Sequence, residues 1–234
     1  MDLQLAVIDL AGTSVADDGL VEEAFTEAIG QLGIGPASDR FPALLAEVRR
    51  TMGASKISVF RSLLGDEGQA QGANLAFERA YASMIADGLC RPLPGAEDAF
   101  HQLRRRGVKI ALTTGFAPAT RQALLARLGW EDLVDLALSP AEAGRGRPYP
   151  DLILTAVLRL AVTHVRAVAT LGDTANDIRA GHAAGAGIVL GVLTGAHDGS
   201  TLDEAGADAV LPGIGGLVPF LDRLGLTTLT KGNL

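Results

Sequence analysis

Four short polar stretches carry the residue types that moving a phosphoryl group requires. Asp9 is followed by Gly12-Thr13, Thr114 by Gly115, Arg147 by Pro148 in a glycine-rich loop, and Gly172-Asp173-Thr174 by Asp177. A carboxylate can attack phosphorus and form an aspartyl-phosphate, which divides one hard displacement into two. The Thr114 hydroxyl, the Gly115 N–H and Arg147 are donors suited to equatorial oxygens on which charge develops. Asp9, Asp173 and Asp177 around a phosphoryl group would repel one another without a cation, and hard oxygen ligands suit Mg²⁺. Each stretch alone has a simpler explanation: a turn at Asp9, an N-cap at Asp173 or Thr174, a solvated arginine. Their joint order along the chain is what those explanations leave out.

The elements around them are legible from periodicity. Apolar runs at Leu3–Leu10, Val108–Thr113, Leu133–Leu138, Ala167–Leu171 and Gly187–Leu193 read as buried strands. Helical patterns at Ala96–Arg106, Pro118–Leu128, Leu152–Leu160 and Asn176–Ala184 alternate with them. This predicts an α/β fold, a doubly wound parallel sheet with ligands bound beyond the strands' carboxyl ends, where the polar stretches fall. From Val15 to Arg91 the alternation stops, and helical stripes appear at Val21–Leu32, Ala43–Met52, Ile57–Leu64 and Leu75–Ile85. Pro92, Pro94 and Gly95 mark the return. The expected organisation is a core domain of residues 1–14 and 92–234 with a helical cap domain, 15–91, inserted after the first strand. The tail, Thr227–Leu234, reads as weakly ordered.

Composition narrows the partners. The net charge of −7 argues against nucleic acid or an anionic membrane surface. No run of about 18 apolar residues is present, and the start lacks a basic, then apolar, leader, so the expected location is cytoplasmic. The single cysteine, Cys90, allows no internal disulfide and reads as a small buried hydrophobe. His101, His164, His182 and His197 show no metal-ligand spacing and read as surface or helix residues. Trp130 reads as packing, Asp17-Asp18 as a hinge or surface pair, and Arg104-Arg105-Arg106 as a helix C-terminal charge run.

In combination, Asp9-Leu10-Ala11-Gly12-Thr13, Leu112-Thr113-Thr114-Gly115, Gly146-Arg147-Pro148-Tyr149-Pro150 and Gly172-Asp173-Thr174-Ala175-Asn176-Asp177 resemble the motifs of the haloacid dehalogenase superfamily. Two departures from the general pattern, Ala11 in place of a second aspartate and Arg147 in place of lysine, resemble its phosphonatase branch. Met52-Gly53-Ala54-Ser55-Lys56-Ile57 is similar to the cap motif that carries that branch's Schiff-base lysine. The resemblance implies a Rossmann-like core and Mg²⁺ held by Asp9, the Ala11 carbonyl, Asp173 and Asp177. It implies catalytic roles for Asp9, Lys56, Thr114 and Arg147, and substrate contacts from Gly12, Thr13, Gly115 and Met52. A small phosphonate or phosphorylated substrate and a homodimer are the partners it suggests.

The chemistry behind Ala11 is clear. Without an acid at position 11, an alkoxide leaving group goes unassisted, so cleavage of ordinary phosphate esters should be slow. Carbon–phosphorus cleavage instead needs an electron sink on carbon, which an imine on Lys56 would provide. Arginine cannot form an imine, and the chain has 17 arginines but only three lysines, so lysine at 56 is informative. Against the phosphonatase pattern, Val59 replaces a histidine, Phe116 replaces a tyrosine, and no cysteine lies near Leu20. Two other readings remain: a small-molecule phosphatase or phosphotransferase tolerating Ala11, and a non-catalytic phospho-metabolite-binding protein. A dinucleotide-binding turn and a P-loop are both missing.

Overall fold

A computed structural model describes residues 2–226; the tail expected to be weakly ordered lies outside the described residues. The strands are β1 (Leu5–Asp9), β2 (Lys109–Thr113), β3 (Leu136–Leu138), β4 (Val168–Gly172), β5 (Ile188–Val192) and β6 (Ala209–Leu211). They lie in the order β3-β2-β1-β4-β5-β6, and every neighbouring pair is parallel. β1 and β4 sit side by side at the centre, where the winding reverses direction. Ligands of open parallel sheets bind at such a crevice.

Alternation along β1 explains the two layers. Leu5 and Val7 pack with Leu152, Ile153, Ala156 and Val157 on one face. Ala6 and Ile8 point the other way, towards Phe100 and Leu103. Both faces are covered, so the strands are apolar throughout and the sheet is doubly wound, as the sequence predicts.

Between β1 and the helix that precedes β2 the chain forms α1 (Leu20–Gly30), α2 (Phe41–Arg50), α3 (Lys56–Leu64) and α4 (Glu67–Ala86), and no strand. The segment leaves and re-enters through a paired stem. The Ala16 N–H donates to the Arg91 carbonyl at 2.9 Å, and the Leu93 N–H to the Ser14 carbonyl at 2.9 Å. The core continues with α5 (Ala96–Arg105), α6 (Pro118–Leu128), α7 (Pro140–Ala143), α8 (Asp151–Arg159) and α9 (Ala175–Ala184).

Some bounds differ from the sequence pattern. α4 begins at Glu67, eight residues before Leu75, because Asp66 caps it by accepting the Gln69 N–H at 2.7 Å. Gly68 and Gly72 dilute the apolar stripe there and hide the start. The run Leu133–Leu138 is strand only from Leu136, since the Leu133 N–H turns back to the Trp130 carbonyl and the Asp135 carboxylate takes the Ile110 N–H at 2.7 Å. β6 is too short to announce itself.

An aromatic chain joins the inserted helices to the core. Phe25 stacks on Phe60 at 5.5 Å between ring centroids, Phe60 meets Phe77 at 6.2 Å, and Phe77 meets Phe116, which follows β2, at 6.2 Å. Phe60 is almost fully buried at the middle of the chain. Phe60→Ala should therefore lower unfolding stability by about 3–5 kcal/mol, read from the midpoint of denaturant unfolding. A midpoint equal to wild type would show that the cluster is loosely packed.

Candidate active site

The central strands bring Asp9 and the β4 exit together. Asp9 pairs in register with Thr113, and Ile8 pairs with Leu171, so Asp173 follows directly beside the nucleophile candidate. After β1 the chain turns tightly: the N–H groups of Thr13, Ser14 and Val15 all point at the Leu10 carbonyl, and the Gly12 N–H donates to Val15 at 2.7 Å. Gly12 adopts φ 85°, and a Cβ there would lie 2.5 Å from the Asp173 carboxylate, so glycine is required twice over.

Asp9, Asp173 and Asp177 are buried, with ligand atoms within 4.8 Å of one another. Arg147, equally buried, reaches between two of them. Its Nη1 donates to Asp9 Oδ1 at 2.5 Å and also to Asp177 Oδ1. Burial works against the guanidinium charge, but Asp177 and Asp9 outweigh it and hold Arg147 above the ordinary arginine range. Asp9 is pushed up chiefly by burial; Arg147 opposes this, and Asp177 and Asp173 add to it. Asp173 is pushed up to about 6 by burial and by Asp177, against hydrogen bonds from the Ala196 N–H and the Thr13 hydroxyl. One cation thus faces three carboxylates, a charge deficit that suits a divalent ion on oxygen ligands. Of these three carboxylates, Asp9 and Asp173 line the cavity, and among the described residues no hydrogen bond is made to the Ala11 carbonyl beside them.

The expected residues divide into two groups. Asp9, Ala11, Met52, Lys56, Thr114, Gly115, Arg147 and Asp173 all line one cavity of about 480 Å³. Thr114 Oγ1 accepts the Phe116 N–H at 3.2 Å, which leaves its own hydrogen free to donate into the cavity. Gly12 and Thr13, expected as substrate contacts, instead brace the floor, with the Thr13 hydroxyl committed to Asp173 at 3.1 Å and the Gly12 carbonyl to Thr194 at 2.7 Å. Asp177, expected as a metal ligand, lies behind Arg147. One of its oxygens accepts from Arg147, and the other accepts the Thr174 N–H at 3.1 Å and the Thr174 hydroxyl.

Lys56 begins α3 and is brought to the cavity by a loop seated on the core. The Lys56 N–H donates to the Gly115 carbonyl at 3.3 Å, and Asn176 Nδ2 donates to the Met52 carbonyl at 2.8 Å. A Cβ on Gly115 would lie 2.5 Å from the Ala54 carbonyl, so the loop fits only against glycine. The ammonium sits 5.7 Å from the Phe77 ring centroid and 5.6 Å from that of Phe116. Burial lowers its pKa below the ordinary lysine value; Asp17, the strongest opposing charge, pulls it back, and Arg147 adds to the fall.

Four residues escaped the sequence reading. Asp17, expected at a hinge or surface, lines the cavity, because Asp18 at φ 45° and Gly19 at φ 87° turn the chain sharply after it. His197, expected as a surface residue, also lines it; its Nδ1 accepts the Ala175 N–H at 2.9 Å. Thr194-Gly195 follows β5, and the strand-end rule that found Thr114 would have found it too. The other expectations agree: Cys90 is buried, and Trp130 is buried with Nε1 donating to Glu97 at 2.9 Å. Among the described residues no helix is long and apolar enough to cross a membrane.

The sequence pattern of the family described as haloacid dehalogenase-like hydrolase matches residues 3–185. Phosphonoacetaldehyde hydrolase of Bordetella pertussis is 28% identical over 230 residues, spanning 88% of this chain and 81% of the relative. That of Bacillus cereus is 28% identical over 218 residues, spanning 82% and 77%. Two solved structures share the fold. A phosphonoacetaldehyde hydrolase-like protein from Oleispira antarctica superposes with a TM-score of 0.82 at 23% identity, covering 96% of this chain and 93% of its own. A hydrolase from Pseudomonas syringae gives 0.81 at 23% identity, covering 94% and 99%.

The Arg147 bridge yields a stability test. Arg147→Met removes the one guanidinium that faces Asp9 and Asp177 and leaves both carboxylates buried without it. Breaking such a buried pair should cost about 3–5 kcal/mol in unfolding free energy. Unchanged stability in metal-free buffer would mean that the carboxylates are protonated and need no partner.

Proposed function

The chain belongs to the haloacid dehalogenase-like hydrolases, and from that premise we propose that it cleaves the carbon–phosphorus bond of phosphonoacetaldehyde or a closely related small phosphonate. The observation that carries this reading is the placement of Lys56: its side chain lines the same cavity as Asp9, with the ammonium beside the stacked Phe77 and Phe116 rings. An amine there is useful to a substrate with a carbonyl next to its phosphorus-bearing carbon. The curated relatives named phosphonoacetaldehyde hydrolase support the same substrate.

In this reading the phosphonate group lies on the core side and the aldehyde on the side of the inserted helices, which act as a cap. Lys56 condenses with the aldehyde, and the resulting iminium draws the electrons of the C–P bond towards nitrogen. Asp9 attacks phosphorus in line as that bond breaks, so the carbon fragment departs as an enamine and phosphorus passes to Asp9. Water then hydrolyses the aspartyl-phosphate, the enamine carbon takes up a proton to become an iminium, and hydrolysis of that iminium releases Lys56 and acetaldehyde. Thr114 and Gly115 donate to the phosphoryl oxygens, and Arg147 orients Asp9. Mg²⁺ held by Asp9, Asp173 and the Ala11 carbonyl would neutralise phosphoryl charge when bound. Asp177 serves this site by holding Arg147.

The position of Ala11 fits this division of labour. An enamine leaves without a proton donor beside the nucleophile, so nothing is lost by a methyl group there. A phosphate monoester with a poor leaving group would lack that help.

Two expectations test the scheme. Asp9→Asn should lower phosphate release from phosphonoacetaldehyde by on the order of 10³-fold or more while leaving thermal unfolding intact, and EDTA should do the same reversibly to wild type. Wild-type turnover by Asp9→Asn would remove Asp9 from the chemistry. Lys56→Arg should keep the charge yet lose C–P cleavage, and borohydride added with substrate should attach a reduced adduct to Lys56. Full activity in Lys56→Arg would instead favour a phosphatase.

A further inference from the structure

The cavity contains a carboxylate that the scheme above does not use. Asp17 lies on its wall with Lys56, in a conformation that the chain is made to adopt. Asp18 takes the left-handed region at φ 45°, which is uncommon outside glycine, and Gly19 follows at φ 87°. The outcome is a carboxylate at the foot of α1, with Oδ1 accepting the Val21 N–H at 3.2 Å. Its other oxygen takes no hydrogen bond among the described residues, and no ion pair ties it to Lys56. The two groups line the same cavity.

Of the acids around Lys56, Asp17 acts on it most strongly, ahead of Asp9 and Glu78. Glu78 stands outside the cavity lining; its Oε1 accepts the Ala117 N–H at 3.0 Å, and its Oε2 is buried without a partner among the described residues. Asp9 belongs to Arg147 and to phosphorus. Burial holds Asp17 above the usual aspartate range, with the Val21 N–H and Lys56 opposing, and Asp18 and Glu22 adding to the rise. Tyr81 and Cys90, on the far side, both feel its charge and are themselves pushed up by burial. A carboxyl whose pKa burial raises from the ordinary aspartate value is the better matched to general acid–base work. The phosphonatase-like pattern offers a histidine near the lysine, and here that place is Val59, buried among apolar residues.

We propose that Asp17 is the proton-transfer partner of Lys56, serving the formation and breakdown of the imine at the aldehyde end of the cavity. This rests on the Schiff-base reading of Lys56. The Asp17 carboxylate takes a proton from the Lys56 ammonium, directly or through one water. The freed amine attacks the carbonyl carbon, the C=O π electrons move to oxygen, and the proton on nitrogen passes to that oxygen to give a carbinolamine. Asp17 returns its proton to the hydroxyl, the C–O bond breaks to release water, and the nitrogen lone pair closes the iminium. Asp17 ends as the carboxylate it began as. The same steps in reverse free Lys56 after C–P cleavage.

The test uses the Mg²⁺-loaded full chain with phosphonoacetaldehyde and cyanoborohydride, following the reduced adduct on the Lys56 peptide by mass spectrometry. Lys109, exposed on the far side of the sheet, serves as the internal reference. Asp17→Asn keeps an oxygen for the Val21 N–H and so should preserve α1, checked by an unchanged thermal midpoint. At pH 7 its rate of Lys56 labelling should fall about 10²-fold, the lower end for a positioned acid–base group, and should climb with pH as the free amine alone accumulates. Asp17→Glu, which restores the carboxyl, should recover much of the rate. If Asp17 only holds Lys56 charged, removing its charge frees the amine, and labelling at pH 7 stays equal or rises; that result overturns the proposal and leaves the Lys56 reading standing. If wild type shows no Lys56 adduct while Lys109 is labelled, the Schiff-base reading itself falls, and the role of Asp17 with it.

Discussion

Everything at the strand ends is arranged around the guanidinium of Arg147, buried between Asp9 and Asp177. Two like charges about 4 Å apart repel by roughly 4 kcal/mol at an effective dielectric near 20. Three buried carboxylates within 4.8 Å of one another would therefore not stay ionised together unaided. Arg147 answers part of that repulsion and fixes the angle of Asp9 while doing so. The bridge runs through one nitrogen, Nη1, which donates to both carboxylates. The repulsion that remains shows at Asp173, whose pKa is pushed up to about 6 by burial first and then by Asp177.

That arrangement explains why residues far apart in the chain act as one unit. Asp177 caps the start of α9 through Thr174 and so cannot swing away from Arg147. Asp173 is pinned from two sides, by Thr13 after β1 and by the Ala196 N–H after β5. The parallel sheet brings these loops to one edge, and their backbone hydrogen bonds turn separate strand exits into a single rigid floor. A parallel sheet with β1 and β4 at its centre is the simplest way to deliver both carboxylates to one point.

How much of this was legible in the sequence follows from the range of each interaction. Asp9, Thr114 and Asp173 close apolar runs, a local signal, and the sheet places them where the runs predict. Lys56 stood out as a lysine where the chain otherwise favours arginine. The Arg147–Asp177 pairing is different: the partners are 30 residues apart, and only the cap geometry of α9 decides which of the three aspartates shares Arg147 with Asp9. Thr13 looked available as a donor to substrate until the depth of Asp173 was known. Asp17 was hidden because an Asp-Asp-Gly stretch reads as a turn, and only the left-handed backbone at Asp18 and Gly19 shows where the turn aims its first residue. His197 lies beyond the last motif and has no periodic signal at all.

The inserted helices and the core are coupled through the loop that ends at Lys56. The loop is held to the core by the Gly115 carbonyl and by Asn176, which is part of the same helix start as Asp177. The aromatic chain from Phe25 to Phe116 fixes α3 from the opposite side. An amine on a mobile surface helix would need a substrate to find it. Here the fold sets the Lys56 side chain and the Asp9 carboxylate on one cavity. The glycine at 115 lets the Lys56 loop approach the core this closely.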